Sequence, residues 1–184
     1  RFLAVMERNS ERLHRMIEEL LQVSRQNEEG IQLDVVELDL ADVTHQVTAA
    51  CRPLADHRGV VLLDRTERPV LARGDAKRLT QALNHLVVNA IKFTASGGTI
   101  TVNSTGDGEP ELTITDTGAG IPPEDMPHVF DQFFRSASAD VMAVQGTGLG
   151  LAIVKSIIDA HHGSVHLESE PGVGTSVRIT LQRP

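Results

Sequence analysis

Two pairs of strand-like runs follow each other in this chain with no helix between their members, and that order restricts the fold most. "GTITVNST" (98–105) is joined to "ELTITD" (111–116) only by the turn "GDGEP", and "SVHLES" (164–169) leads through "EPGVG" into "GTSVRITL" (174–181). Such short connections read as hairpins. Upstream lie the strand "VVEL", then a helix capped by Asp39 that runs to about His57 with Leu40, Val43, Val47 and Cys51 or Leu54 inward. The strands "VVLLD" and "PVLARG" follow, then a helix capped by Asp75, and a last helix covers residues 149–161. At its end His161 and His162 are expected to cap the final carbonyls, with Gly163 as the C′ residue. Helices and strands are mixed without the strict βαβ alternation of a doubly wound sheet. The expected class is therefore α+β: a two-layer sandwich of one mixed sheet under a layer of helices.

Residues 1–29 contain no Pro or Gly and place Leu3, Met6, Ser10, Leu13, Ile17, Leu20 and Ser24 at alternating spacings of three and four. That is the seam of a helix that pairs with another helix, so residues 1–30 read as a protruding dimerisation arm ending at Gly30. Residues 31–37 then form a hinge and first strand, and 38–184 the main domain. With 184 residues, 40% of them hydrophobic, the chain can bury one sizeable core beside such an arm. Its 17 basic against 25 acidic residues give a formal charge of -8, which argues against nucleic acid and anionic membranes as partners. The single cysteine, Cys51, excludes an intramolecular disulfide and fits a reducing compartment. No apolar run is long enough to span a bilayer. The chain starts in mid-helix without Met, so the expectation is a cytoplasmic fragment whose membrane attachment comes only through segments outside it.

Chemistry collects at three places. In "LNHLVVNAIKFT" (83–94), Leu79, Leu83, Leu86, Ala90 and Phe93 fall on one helical face, and His85, Asn89 and Lys92 on the other. An amide oxygen can ligate a hard cation such as Mg2+, and an ammonium one turn away can neutralise a phosphate oxygen held by the same ion. Alone, this is equally an ordinary solvated face. "ITDTGAGIP" leaves the end of a strand with Asp116 followed by Gly118 and Gly120, where a flat ligand can approach the backbone and a carboxylate can accept from an exocyclic amine. "QGTGLGLAIVKSI" puts Gly146, Gly148 and Gly150 at a helix start, which exposes backbone N–H groups and a positive helix end to an anion. It is neither a P-loop nor a dinucleotide fingerprint. Between the last two places runs a connection of about thirty residues, long enough to be a functional lid.

The ordered set "NAIKF", "DTGAGI", "FDQFFR", "GTGLGLAIVK" and "GVGTS" resembles the ATP-binding domain of sensor histidine kinases, the kinase branch of the GHKL superfamily with its Bergerat fold. The resemblance covers residues 38–182, and the preceding "RMIEELLQVSR" resembles the second helix of the family's dimerisation and phosphotransfer hairpin. It implies a mixed, mostly antiparallel sheet covered on one face by helices, with ATP and Mg2+ as cofactors. Carried over by position, it implies that Asn89 holds Mg2+ and Lys92 contacts phosphate. Phe93 would flank the adenine, and Asp116 would read its amine with Gly118, Gly120 and Ile121 shaping the pocket and Thr175 supporting it. Gly146, Thr147, Gly148, Leu149 and Gly150 would cradle phosphates beneath a lid spanning residues 122–145, in which Phe130, Phe133 and Phe134 cluster and Arg135 adds a cation.

Superfamily members that hydrolyse ATP place a Glu one turn before the metal-binding Asn, as base for the attacking water. Here that position is His85, beside Asn84, so phosphoryl transfer is the expected chemistry and His85 is assigned a supporting role near phosphate or metal. The family's phosphorylated His sits in an "HELRTPL"-like segment, which nothing here resembles; His14 lacks an adjacent acid. The chain is thus expected to bind ATP, to donate its γ-phosphoryl to a His upstream for relay to a response-regulator Asp, and not to phosphorylate itself. The alternatives are a GHKL ATPase and a nucleotide-sensing dimerisation module without catalysis.

Overall fold

The computed structural model describes Met6 and residues 31–66, 69–106, 108–136 and 146–184. The chain divides into two compact units, Arg1–Gln32 and Leu33–Pro184. The expected helical seam lies outside the described residues except for Met6, which is helical and exposed.

The second unit begins with β1 (Val36–Asp39), which pairs antiparallel with β3 (Leu71–Gly74) in a two-stranded sheet. The main sheet has five strands in the order β2 (Val61–Asp64), β4 (Thr99–Thr105), β5 (Glu111–Asp116), β7 (Gly174–Thr180) and β6 (Ser164–Glu170). Only the β2–β4 pair is parallel. Both expected hairpins, β4–β5 and β6–β7, are present, and the sheet is mixed and mostly antiparallel. Its helices are α1 (Leu40–Arg58), α2 (Ala76–Phe93) and α3 (Gly150–Ala160).

Period-two alternation puts the helices on one face of that sheet. Ile100, Val102, Leu112, Ile114, Val177 and Ile179 point inward and are almost fully buried, while Thr101, Asn103, Thr113, Ser176 and Arg178 point outward. α2 is flanked by α1 and α3, so its buried arc is wider than the stripe read from sequence: Ala82, Val87 and Ile91 join Leu79, Leu83, Leu86 and Ala90. Phe93, assigned to the same stripe, is only half-buried. On α1 the ambiguity resolves to Cys51, which is 4% exposed against 38% for Leu54. The Cys51 thiol is pushed up in pKa by burial and donates to Asn84 Oδ1, as an inert core group does.

Asp39 and Asp75 cap α1 and α2 as expected, Asp39 Oδ1 accepting from Ala41 N at 2.8 Å and Asp75 Oδ1 from Arg78 N at 3.1 Å. The end of α3 differs from expectation in one respect. His162, not Gly163, takes the left-handed conformation (φ 55), and Gly163 N returns to Ile158 O at 3.0 Å. Gly163 is small for another reason: a Cβ there would lie 2.5 Å from the Thr180 carbonyl of β7.

His161 does more than cap. It is 6% exposed; its Nδ1 donates to Ile157 O at 2.7 Å, which leaves Nε2 to accept from Asp75 N at 2.9 Å. The end of α3 is thereby fastened to the cap of α2. Replacing it with Phe keeps the ring but strands the Asp75 N–H, while Ile157 O keeps its bond from His161 N at 3.2 Å, so His161→Phe is expected to lose about 1–3 kcal/mol, seen as a lower denaturant midpoint at unchanged slope. His161→Gln, which returns an acceptor, should lose less.

Candidate functional site

On β5, β6 and β7 the inner face of the main sheet is apolar until its last row, whereas β4 also carries the buried Ser104. Val102, Ile114, Val177 and Leu167 lie across four strands in register; two residues further along, the corresponding row is Ile100, Asp116, Thr175 and Ser169. The apolar face thus ends in a carboxylate and two hydroxyls beneath the helices. Asp116 Oδ1 accepts from Gly118 N at 2.8 Å and Thr175 N at 3.3 Å. Asp116 Oδ2 accepts from no group among the described residues. Burial pushes the Asp116 carboxyl above the usual carboxylate range, against the opposing pull of those two amides.

Glycines let three backbones converge on this row. A Cβ at Gly118 would lie 2.6 Å from the Phe93 carbonyl, at the C-terminus of α2, and one at Gly174 would overlap the Asp116 carbonyl. The loop after Asp116 is tied on both sides, by Ala119 N to Phe93 O (3.1 Å) and by Gly172 N to Ala119 O (2.7 Å). Gly120 turns it with φ 70, and Ile121 N then donates to Ser169 Oγ at 2.8 Å.

The second half of the site lies where α2 meets the start of α3. A Cβ at Gly150 would sit 3.6 Å from both Asn89 Nδ2 and His85 Nδ1, so the two side chains border the first residue of α3. Lys92, one turn beyond Asn89, is half-buried. Unlike α1 and α2, α3 starts with no side-chain cap among the described residues, and its first turn holds no acidic residue. Its N-terminal N–H groups and dipole therefore remain available to an anion. Leu149 contributes backbone only, its side chain being 1% exposed, and Leu149 N donates to Thr147 Oγ1 at 3.3 Å.

The lid divides. Residues 122–136 hold a single 3-10 turn, Met126–His128; residues 137–145 lie outside the described part. Phe133 has φ 65, donates through its N–H to Gly148 O at 2.9 Å, and is 57% exposed. Gly148 (φ 75) is pressed so closely that a Cβ would lie 2.7 Å from Phe134 O, while Phe134 packs on His128 with ring centroids 5.6 Å apart. The three phenylalanines read as one cluster thus behave differently, Phe130 being half-buried and Phe133 open. Arg135 and Gly146 are exposed, and nothing lies within 4 Å of a Cβ at Gly146.

A carboxylate acceptor closed in by three backbones, next to an uncapped helix start bordered by an amide, suits a ligand with an amine at one end and an anion at the other. A family model described as histidine kinase-, DNA gyrase B- and HSP90-like ATPase matches residues 74–184, which span this arrangement. The chain belongs to that ATPase family. Within it, the chain stands with the sensor histidine kinases. The mycobacterial sensor histidine kinase MprB is 31% identical, with a TM-score of 0.70 over 81% of this chain and 98% of that one. Sensor protein SrrB of Staphylococcus aureus is 36% identical over 183 residues, 99% of this chain but 31% of its own length. The chain therefore spans about a third of that relative. Full-length ShkA, solved in complex with AMPPNP, is 25% identical with a TM-score of 0.84 over 98% of this chain and 38% of that one.

One residue of this histidine kinase-like site escaped the sequence reading. Ser169 sits in "SVHLES", where a serine on a strand carries no local signal; only the pairing of β6 with β7 brings it against Thr175.

The raised Asp116 pKa has a consequence for stability. Its ionised form is disfavoured in the folded chain, so its contribution is complete below the ordinary aspartate range and is lost as pH climbs through the raised value. Asp116→Asn, which keeps an Oδ1 acceptor without the charge, is therefore expected to be at least as stable as the parent at pH 7. That advantage should shrink on acidification below the ordinary range, as chemical denaturation at several pH values would record.

Proposed function

We propose that this chain is the ATP-binding kinase part of a sensor histidine kinase, in which Mg2+-ATP lies with its adenine against Asp116 and its phosphates toward the start of α3. The observation that carries the reading is Asp116, held at Oδ1 by two amides and, among the described residues, unmatched at Oδ2. Ionised, Oδ2 can only accept, which suits the exocyclic amine of adenine. Thr175 stands beside it, Gly118, Gly120 and Ile121 shape the wall, and Phe93 borders it. Lys92 supplies positive charge for phosphate; Gly146, Thr147, Gly148 and Gly150 offer backbone donors, with Leu149 holding the turn between them; Arg135 adds a cation from the lid.

Among the described residues, no group of three or more His, Cys, Asp or Glu side chains stands together to hold a metal ion. Mg2+ needs none: it keeps several waters and binds through one or two protein oxygens plus substrate phosphates. The Asn89 amide, bordering Gly150, is the group that would hold it. When bound, the ion neutralises charge on the transferring phosphoryl group. The chain's own residues then supply positioning: Asp116 fixes one end of the nucleotide and Lys92 with the α3 start fixes the other. His85, beside Asn89, orients polar groups near the phosphates. The recipient of the γ-phosphoryl is a His upstream of these residues, with onward transfer to an Asp of a response-regulator receiver domain. In this reading two copies pair through residues 1–30, which apart from Met6 lie outside the described residues. No helix among the described residues is long and apolar enough to cross a membrane; the assigned setting is the cytoplasmic portion of a receptor.

Titration calorimetry tests this directly. The chain should bind ATP in the presence of Mg2+, and Asp116→Asn, which turns the acceptor into a donor, should weaken binding by roughly ten- to a hundredfold, the loss of a hydrogen bond to a charged group. Asn89→Ala should weaken binding with Mg2+ far more than without it. Phosphate release from the same samples should stay at background. Steady hydrolysis would reassign the chain to the ATPase branch, with His85 as the first candidate for activating water.

A further inference from the structure

Ser169 lies outside every motif named above, yet three groups of the site meet at its hydroxyl. Ser169 Oγ is 2.8 Å from Ile121 N, 3.0 Å from Gly174 O and 2.9 Å from Thr175 Oγ1. A hydroxyl has one proton and two lone pairs. The Ile121 amide can only donate, so it occupies one lone pair. The Gly174 carbonyl can only accept, so it takes the proton. What remains for Thr175 is the second lone pair, and Thr175 must be the donor of that bond. No other assignment keeps all three contacts. The Thr175 proton is thus committed to Ser169, and Thr175 Oγ1 has only lone pairs left for anything else.

Thr175 and Asp116 are paired residues on adjacent strands, side by side on the polar row. We propose that Ser169 is a positioning and specificity-determining residue: it polarises Thr175 so that the site offers two neighbouring acceptors, and so selects a purine with an amine at position six over one with a carbonyl there. This rests on the reading that the base lies against Asp116. A threonine hydroxyl left to itself is ambivalent and can rotate to donate to a carbonyl. With Ser169 in place, that rotation breaks the Thr175–Ser169 bond and leaves a lone pair facing Ser169 without a proton.

The test compares ATP with inosine triphosphate, which carries a carbonyl in place of the six-amino group. Affinities for both would be measured on the 184-residue chain, Ser169→Ala, Ser169→Thr, Thr175→Val and the Ser169→Ala/Thr175→Val double variant. The parent should prefer ATP. Ser169→Ala should narrow the ATP-to-inosine ratio by about tenfold, and Ser169→Thr, which keeps a hydroxyl, should restore it. In the Thr175→Val background, Ser169→Ala should leave the ratio unchanged, since the group it acts through is gone. An equal loss of both affinities in Ser169→Ala, with the parent ratio preserved, overturns the inference and reduces Ser169 to a support for Ile121. A parent chain that binds neither nucleotide, or both alike, overturns the placement of the base against Asp116 and this inference with it.

Discussion

Asp116 is gripped on one side and open on the other. Two backbone amides hold Oδ1, one from the loop that follows and one from the neighbouring strand, while Oδ2 has no donor among the described residues. A half-buried carboxylate in that condition is costly, as its raised pKa records. The cost is borne by a core that is otherwise closed: Ile100, Val102, Leu112 and Ile114 on the same face are almost fully buried. Every other feature of the site is arranged around this carboxylate. The Gly118 and Gly174 backbones approach it, the loop through Ala119 is tied to α2 and to the β6–β7 turn, and Thr175 is set beside it by strand pairing.

The three helices divide the remaining work by how they begin. α1 and α2 start under aspartate caps, and the second cap is tied to the end of α3 through His161. α3 starts without a side-chain cap among the described residues, and its opening is bordered by Asn89 and His85 from α2. A positive helix end facing polar side chains, on a framework fixed at its far end, is a place where phosphate charge is stabilised without rearrangement of the protein. Gly148 couples this place to the lid, because its backbone receives the Phe133 N–H and admits the Phe134 carbonyl at close range.

Much of this was legible in the residues. Asp39 and Asp75 announce helix starts because capping is local chemistry, and the two hairpins follow from short turns between strand-like runs. Where the reading fell short, the missing information was non-local. Ala82, Val87 and Ile91 are buried because α2 has a helix on each side, which its own periodicity does not encode. His162 adopts the left-handed turn, while the Thr180 carbonyl of β7 crowds Gly163, so glycine there serves close packing rather than positive φ.

The sequence by itself determined the class of fold, the order of its elements and the residue types available for chemistry, because hairpin turns, helix caps and glycine-rich starts act over a few residues. Only the tertiary structure decided which of those residues share one site and in which protonation sense. Asp116 is brought from more than fifty positions away to the hairpin that carries Ser169 and Thr175, and the row they form exists only through the registers of β5, β7 and β6. The direction of the Thr175 hydroxyl depends on one proton and two lone pairs at Ser169 Oγ, shared among groups that strand pairing and loop closure bring within 3.0 Å.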